Sequence, residues 1–426
     1  MRNFFSIALL GIILLAAFAS VPSYAQAGNL DSSFGHQGKT TTVFGSGIDA
    51  MPSDAAIQVD GKIVVVATVG VVQNLATGAF GVMRYLPSGA LDSSFGSGGV
   101  ALTAVGNFIN SANAVTIQSD GRIVVAGEMQ TANGTTDTFA VVRYNPDGSL
   151  DNTFGRGGKV TTEFFASPIV GVRETANAVL IQPDGKILVG GSARQGGRRS
   201  VTFTALARYN SNGSLDPLFG SGGKVLANAI NSVDTLGIDS LGNIFALNNS
   251  AIAQFTSSGA LQTKASPGSI FASSLGGINA FQSNGKFIAS QEIGVARRDI
   301  DNQIVRFNAD GTIDTSFNSP VLDFSGEGAP ATDVGVLALQ PNGQIVAGGA
   351  HTIPGVSSVF GLMRLNSNGS LDSTFGQNGM LVTDFNGEDS IAALAIQQDG
   401  NIVAVGTTRD PVSGNIAVAL ARYIGR

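Results

Sequence analysis

The chain has 426 residues, of which 57 are glycine and 13 proline, and only 13% are charged. Glycine near twice its usual ~7% share, with charge near half the usual ~25%, excludes a coiled coil, a charged disordered chain and a helical bundle. A net charge of -6 leaves no basic field for phosphates, which excludes nucleic acid as a partner, and the lack of cysteine excludes disulfides, thiolate metal sites and cysteine nucleophiles.

The chain opens on Met1, Arg2 and Asn3, followed by an apolar run from Phe4 to Ala19 and small residues at Ser23 and Ala25. A basic start, a short apolar core and a small-residue site predict a signal peptide over residues 1–25, cleaved after Ala25, with a second possible site after Ala27. The alternative is an uncleaved anchor, since sixteen apolar residues nearly span a bilayer. Cleavage predicts an exported protein, periplasmic or extracellular, with no stable membrane insertion.

From Leu30 onward the chain is one repeat. An LDxxFG piece stands first, at Leu30, and recurs at Leu91, Leu150, Leu215 and Leu371, with a variant at Ile313 and a decayed copy at Leu261. Between these pieces lie two apolar runs joined by a turn at Gly61, Gly121, Gly185, Gly242, Gly285, Gly343 and Gly400, a mean period of about 56 residues. Most of these turns are Asp-Gly or Asn-Gly, a strong hairpin signal. A third run ends each time in Arg-Tyr or a relative: Arg84, Arg143, Arg208, Gln254, Arg306, Arg364 and Arg422. Four strands per unit without any helical period predict an all-β fold, a β-propeller of four-stranded antiparallel blades.

The count also predicts closure. Seven sets of strands one to three are followed by six fourth strands, and the LDxxFG piece at Leu30 heads an orphan fourth strand running to Phe44. Set beside the last blade, the orphan completes it and removes an open edge, giving seven blades in a single domain over residues 26–426. A linear β-solenoid is the rival, and it has no use for the orphan.

The repeated charges read as structural. In the copy at Asn145–Gly148 the turn places Arg143 opposite Asp151, and the same spacing pairs Arg84 with Asp92, Arg208 with Asp216, Arg306 with Asp314 and Arg364 with Asp372. In the fourth copy both partners become glutamine, Gln254 and Gln262, as a paired slot demands. The aromatics that recur once per unit, such as Tyr144 and Phe154, read as packing between blades.

With these motifs the chain resembles the bacterial delta-60 repeat family over Leu30–Tyr423, and more distantly the secreted NHL and gluconolactonase/streptogramin-lyase propellers. The resemblance implies an exported propeller without naming an activity. Residues 224–298 depart from it, losing the Asp-Gly, Arg-Tyr and Phe-Gly pieces, so blades four and five are degenerate.

Neither histidine, His36 or His351, has a carboxylate neighbour or a second histidine at ligand spacing. No catalytic constellation is legible, which favours a non-enzymatic binding or surface-interaction scaffold; the alternative is a propeller lyase or lactone hydrolase with a divalent cation on the axis. Propeller geometry sends the segments entering each innermost strand to the channel mouth, making Asp54, Asn113, Glu174, Asn177, Asp234, Asp333 and Asp389 the candidate ligand-binding residues. Their oxygens would suit Ca2+ if a cofactor is present at all. Arg198 and Arg199 form a candidate rim for an anionic partner. A protein or carbohydrate ligand and a monomeric chain complete the expectation.

Overall fold

The computed structural model describes residues 26–70, 78–106, 109–131, 135–165, 171–197, 200–248, 251–265, 280–282, 284–296, 299–322, 332–353 and 357–426. The signal-peptide segment and the Arg198–Arg199 rim lie outside them. The described residues form seven four-stranded antiparallel sheets and no helix. The first strands of successive blades touch one another in a closed circuit, so the protein is a seven-bladed β-propeller with those strands around the axis.

Blade two shows the pattern, with strands Asn110–Ile117, Ile123–Gln130, Asp137–Tyr144 and Lys159–Thr162 running from axis to rim. The second and third strands are buried on both faces between neighbouring blades, which is why they read as continuous apolar runs rather than alternating ones. The buried side chains gather into seven clusters, each at the junction of two adjacent blades.

The fourth strand is shorter than the sequence suggests. Only Lys159–Thr162 pairs as a strand, while Leu150–Gly158 folds into a compact turn in which the Gly158 N–H donates to the Phe154 carbonyl at 2.9 Å. The sharp path needs left-handed backbone at Gly155, Gly157 and Gly158, which strand geometry excludes. The degenerate stretch still makes two blades: Thr235–Ile238, Ile244–Leu247, Ile252–Phe255 and Leu261–Ala265, then Ala280–Phe281, Phe287–Ala296, Asp299–Phe307 and Val321–Leu322.

One tie recurs between blades. The Arg143 guanidinium lies 4.6 Å from the centroid of the Phe154 ring and its Nε donates to Asp151 Oδ2 at 2.8 Å. Its Nη1 reaches out of the blade to the Ser211 carbonyl of blade three at 2.6 Å. Thr153 donates through its hydroxyl and its N–H to the other Asp151 oxygen. The same arrangement joins Arg84 to Asp92 at 2.9 Å, Arg208 to Asp216 and Arg364 to Asp372 at 2.8 Å, and Arg306 to Asp314 at 2.7 Å. Each arginine again reaches a turn carbonyl of the following blade, at Pro146, Ser257, Gly425 and Ser367 respectively. Burial by itself would raise the Asp151 carboxyl, but the Thr153 bonds and Arg143 outweigh it and hold the carboxyl below its ordinary range. Its stabilising contribution is therefore present above the unfolded value of ~3.8 and is lost as pH falls through the depressed folded value.

A sixth tie closes the ring. Asp31 pairs with Arg422 Nε at 2.9 Å, Arg422 stacks over Phe34 at 4.8 Å, and its Nη1 donates to the Pro87 carbonyl of blade one. The orphan strand, Lys39–Thr42, completes the sheet of Ser390–Ile396, Ile402–Arg409 and Ile416–Tyr423. Even the turn is rebuilt from two chain ends. Where blade two has Asn145 N–H to Ser149 O and Gly148 N–H to Asn145 O, the closing blade has Ile424 N–H to Asn29 O at 2.9 Å and Gly28 N–H to Ile424 O at 2.8 Å. Gly28 takes the left-handed backbone of Gly148, with φ of 89° and 85° respectively.

The junction of blades four and five lacks the tie, because Gln254 stands in the arginine slot. An aromatic cluster fills it instead: Phe245 and Phe281 lie 5.1 Å apart, and Phe287 stacks on Phe307 at 4.8 Å. Gly237 makes the space, since a Cβ there would sit 2.5 Å from the Phe281 ring.

Removing one partner of a buried tie leaves a lone charge, costing about 3 to 5 kcal/mol. In urea denaturation, Arg143→Ala and Asp151→Ala together are expected to cost less than the sum of the single losses, by about 1 to 3 kcal/mol; additive losses would show that the two do not act as a unit. A circular permutant that joins Gly425 to Ala27 and opens the chain between Gly196 and Gly197 is expected to fold with an undiminished melting temperature, because the link regenerates the turn of the other blades.

Candidate axial binding site

The innermost strand is not regular. In blades one, two, three, six and seven it carries a β-bulge at Ser53, Asn113, Asn177, Gly335 and Ala392. A bulge re-aims a side chain, and the register of blade four puts Asp234 at the same level. The second strand accommodates the bulge with glycine: a Cβ on Gly191 would stand 1.9 Å from the Thr175 carbonyl. Gly127 and Gly406 stand equally close to the inner strand in blades two and seven, whereas blade one carries its bulge opposite Ala67.

The bulge residues wall an axial chamber of about 240 Å3. Blades one to four contribute its polar residues, Ser53, Asp54, Asn113, Asn177, Asp234 and Thr235, together with Ala114, Ala178, Val179 and Leu236, while the described residues of blades six and seven contribute only apolar ones. The polar residues bond around the ring from blade to blade. Ser53 donates its hydroxyl to the Ala112 carbonyl at 2.6 Å, and Asn113 Nδ2 donates to the Ala176 carbonyl at 3.0 Å. Asn177 Nδ2 donates to Ser232 Oγ at 3.1 Å, and Ser232 to Asp234 Oδ1 at 3.0 Å. Asp54 accepts the Ala55 N–H and the Val115 N–H of blade two, each at 2.8 Å, and burial pushes its carboxyl up to about 6 against those two bonds.

Four of the seven residues picked from sequence therefore meet on the axis: Asp54, Asn113, Asn177 and Asp234. Glu174 and Asp389 do not. Both are fully buried and turn between blades, where Glu174 Oε1 accepts the N–H groups of Phe164 and Phe165 at 2.9 and 3.1 Å and Asp389 accepts that of Phe385 at 2.7 Å. Each lies three residues before the bulge of its blade, at Asn177 and Ala392, and holds the incoming loop instead. The backbone of Asp333 pairs with Ala350 in blade six; its side chain lies outside the described residues. Ser53, Thr235 and the apolar side escaped sequence reading, and a bulge-level alignment of the inner strands is the signal that would have found them.

Among the described residues no three of His, Cys, Asp and Glu are grouped, and each Asp54 carboxylate oxygen accepts one N–H. Neither histidine reaches the chamber: His36 is exposed in the orphan LDxxFG turn, and His351 lies in the second strand of blade six beside an off-axis cleft with Tyr423 and Met380. That cleft, about 880 Å3, and another of about 770 Å3 beside Gln58, Lys62 and Arg84 are wider than the chamber. The wall of the second includes Arg84 and Pro146, the two partners of one blade tie.

A family model described as a domain of unknown function (DUF5122) β-propeller matches residues 58–95, 118–154, 182–219, 294–317 and 340–375, together less than half of the chain. Most of the segments run from the glutamine after the inner strand to the phenylalanine of the tie. The likeness is thus to a β-propeller repeat. No curated protein matches the sequence. Among solved structures, the fold is similar to a protein of unknown function from Dyadobacter fermentans, at TM-score 0.49 and 10% identity over 91% of this chain and 98% of that one. It is similar also to puromycin hydrolase, at 0.47 and 15% over 88% and 53%, and to a PL25 ulvan lyase, at 0.47 and 10% over 91% and 96%. Identities and scores this low bear on no activity.

Glu174 supplies a pH test. Burial pushes its carboxyl up to about 7, since the two loop N–H groups only partly offset desolvation, and its Oε2 is buried without a partner. For an acid with a raised folded value, the penalty is absent below the unfolded ~4.5, grows toward 7 and is constant above. Glu174→Gln keeps the acceptor oxygen and removes the charge. Its melting temperature is expected to match the parent at pH 4.5 and to exceed it by a few degrees at pH 8, on the order of 2 kcal/mol after screening.

Proposed function

We propose that the protein is an exported, non-enzymatic binding propeller of the delta-60 repeat type that holds a small ligand in its axial chamber. The observation that carries this reading is the division of labour within the repeat. The recurring arginines, aspartates and phenylalanines are committed to tying blades together, whereas the bulge position varies from blade to blade and faces the axis. Variation at one level of an otherwise uniform ring is what a specific ligand requires, because a small molecule lacks the symmetry of the propeller. Among the described residues the chamber lining holds no histidine, lysine or arginine, which speaks against acid–base chemistry there.

Export rests on residues 1–25, and the split turn favours one cleavage site. The Ala27 carbonyl accepts the Gly376 N–H at 2.9 Å, so cleavage after Ala25 preserves that bond and cleavage after Ala27 removes it. Intact mass of the protein recovered from the exported fraction is expected to place Gln26 first; a chain starting at Gly28 would contradict the reading.

Binding is tested with an unbiased small-molecule library read by thermal shift. Ligands that raise the melting temperature of the parent are expected to lose the shift in Asn177→Ala with Asp234→Ala, and to keep it in Asp60→Ala, a variant of an exposed turn. Shifts indifferent to the axial pair would remove the chamber from consideration. Turnover of a lactone or polysaccharide that persists through purification to homogeneity would overturn the non-enzymatic reading.

A further inference from the structure

We infer that Asn386 is a site of spontaneous backbone modification, deamidating through a cyclic imide with Gly387 to aspartate and isoaspartate. It lies in the loop between the fourth strand of blade six, Met380–Thr383, and the inner strand of blade seven, Ser390–Ile396. The reaction needs only water. The Gly387 nitrogen attacks Cγ of Asn386, the new C–N bond closes the imide ring, and the Cγ–Nδ2 bond breaks to release ammonia. Water then opens the ring at either carbonyl. Aspartate forms when the new bond breaks, and isoaspartate when the original peptide bond breaks.

Among the described residues glycine follows asparagine at Asn212, Asn284, Asn342, Asn368, Asn378 and Asn386. A glycine nitrogen carries no neighbouring side chain to hinder the attack, so sequence alone ranks these pairs equally. The fold separates them. Gly213, Gly285, Gly343 and Gly369 donate their N–H to the carbonyls of Asn210, Gln282, Gln340 and Asn366, each at 2.9 Å, and Gly379 donates to Phe375 at 2.7 Å. The four turn asparagines are held as well, since their Oδ1 atoms accept the N–H of Ser214, Lys286, Gln344 and Ser370. Attack at any of these pairs first breaks bonds that make the turn. Asn386 is different: its side chain is exposed, and neither its carboxamide nor the Gly387 N–H has a hydrogen-bond partner among the described residues. The loop is fixed by other groups. Asn386 N–H donates to Asp384 Oδ1 at 2.6 Å, Phe385 N–H to Asp389 Oδ2 at 2.7 Å, and the Ser357 hydroxyl to the Gly387 carbonyl. The two reacting groups are left free to reach contact distance.

The isoaspartate form adds a methylene to the main chain where the loop has no slack. A Cβ on Gly387 would stand 2.5 Å from the Arg409 carbonyl oxygen and from Thr408 Oγ1, so the second strand of blade seven leaves no room. The lengthened chain moves outward and draws the Phe385 N–H from Asp389, while a new carboxylate joins Asp384, Glu388 and Asp389.

The test ages the full exported chain at mildly alkaline pH and physiological temperature, folded and in urea. The tryptic peptide of residues 365–409 carries Asn368, Asn378 and Asn386 together, and its fragmentation in the mass spectrometer times each site against the other two. In the folded sample Asn386 is expected to deamidate at least about tenfold faster than Asn368 or Asn378, the factor that one or two hydrogen bonds supply. In urea the three rates are expected to converge. Equal rates in the folded sample, a lead by Asn368 or Asn378, or reaction of Asn386 in urea alone overturns the inference. The isoaspartate fraction is expected to melt below Asn386→Asp, which carries the charge without the extra methylene; equal melting overturns the displacement of the loop.

Discussion

In six of the seven blades the third strand carries an arginine whose guanidinium does three things at once: it pairs with an aspartate across its hairpin, stacks on a phenylalanine, and donates to a backbone carbonyl of the next blade. A four-stranded sheet of this size has two apolar faces and cannot bury them alone, so stability depends on neighbours meeting in fixed register. Apolar packing supplies the area, but it is tolerant of sliding. The tie is directional, and it sets the angle and height at which one blade meets the next. Buried charges of this kind are weak stabilisers relative to apolar replacements; their contribution is specificity of arrangement.

The closing tie extends the same logic to a junction that the chain does not cover covalently. Asp31 and Phe34 arrive from one end of the sequence and Arg422 from the other, yet they meet with the geometry of the internal copies. The seam between blades four and five is the exception, and it substitutes aromatic contact for the ion pair. Arginine and aspartate are lost there together, as they must be where one alone would be buried uncompensated. With the arginines bound up between blades, the described lining of the axis is left to short polar, acidic and apolar side chains.

Much of this was legible in order and spacing. The repeat, its seven copies, the orphan strand and the Arg–Asp spacing are local patterns, and local patterns survive in sequence because the same hairpin is built each time. The site was less legible. Asp54, Asn113, Asn177 and Asp234 could be picked as polar residues on inner strands, but Glu174 and Asp389 look the same in sequence and point elsewhere. The difference is a bulge, a shift of one residue that turns a side chain from the junction to the axis, and nothing in the hydrophobic pattern marks it except a glycine on the neighbouring strand. The length of the fourth strand was misread for a related reason: LDxxFGxGG has strand-like spacing, and only its left-handed glycines reveal a turn.

The sequence by itself determined the blade, the number of blades and the closure of the ring, because these follow from hairpin signals and from counting repeats. The tertiary structure alone decided which polar groups share the axis and where their hydrogens go. That outcome depends on contacts between residues about sixty positions apart, such as Asn113 with Ala176 and Asp54 with Val115, which exist only once neighbouring blades are packed.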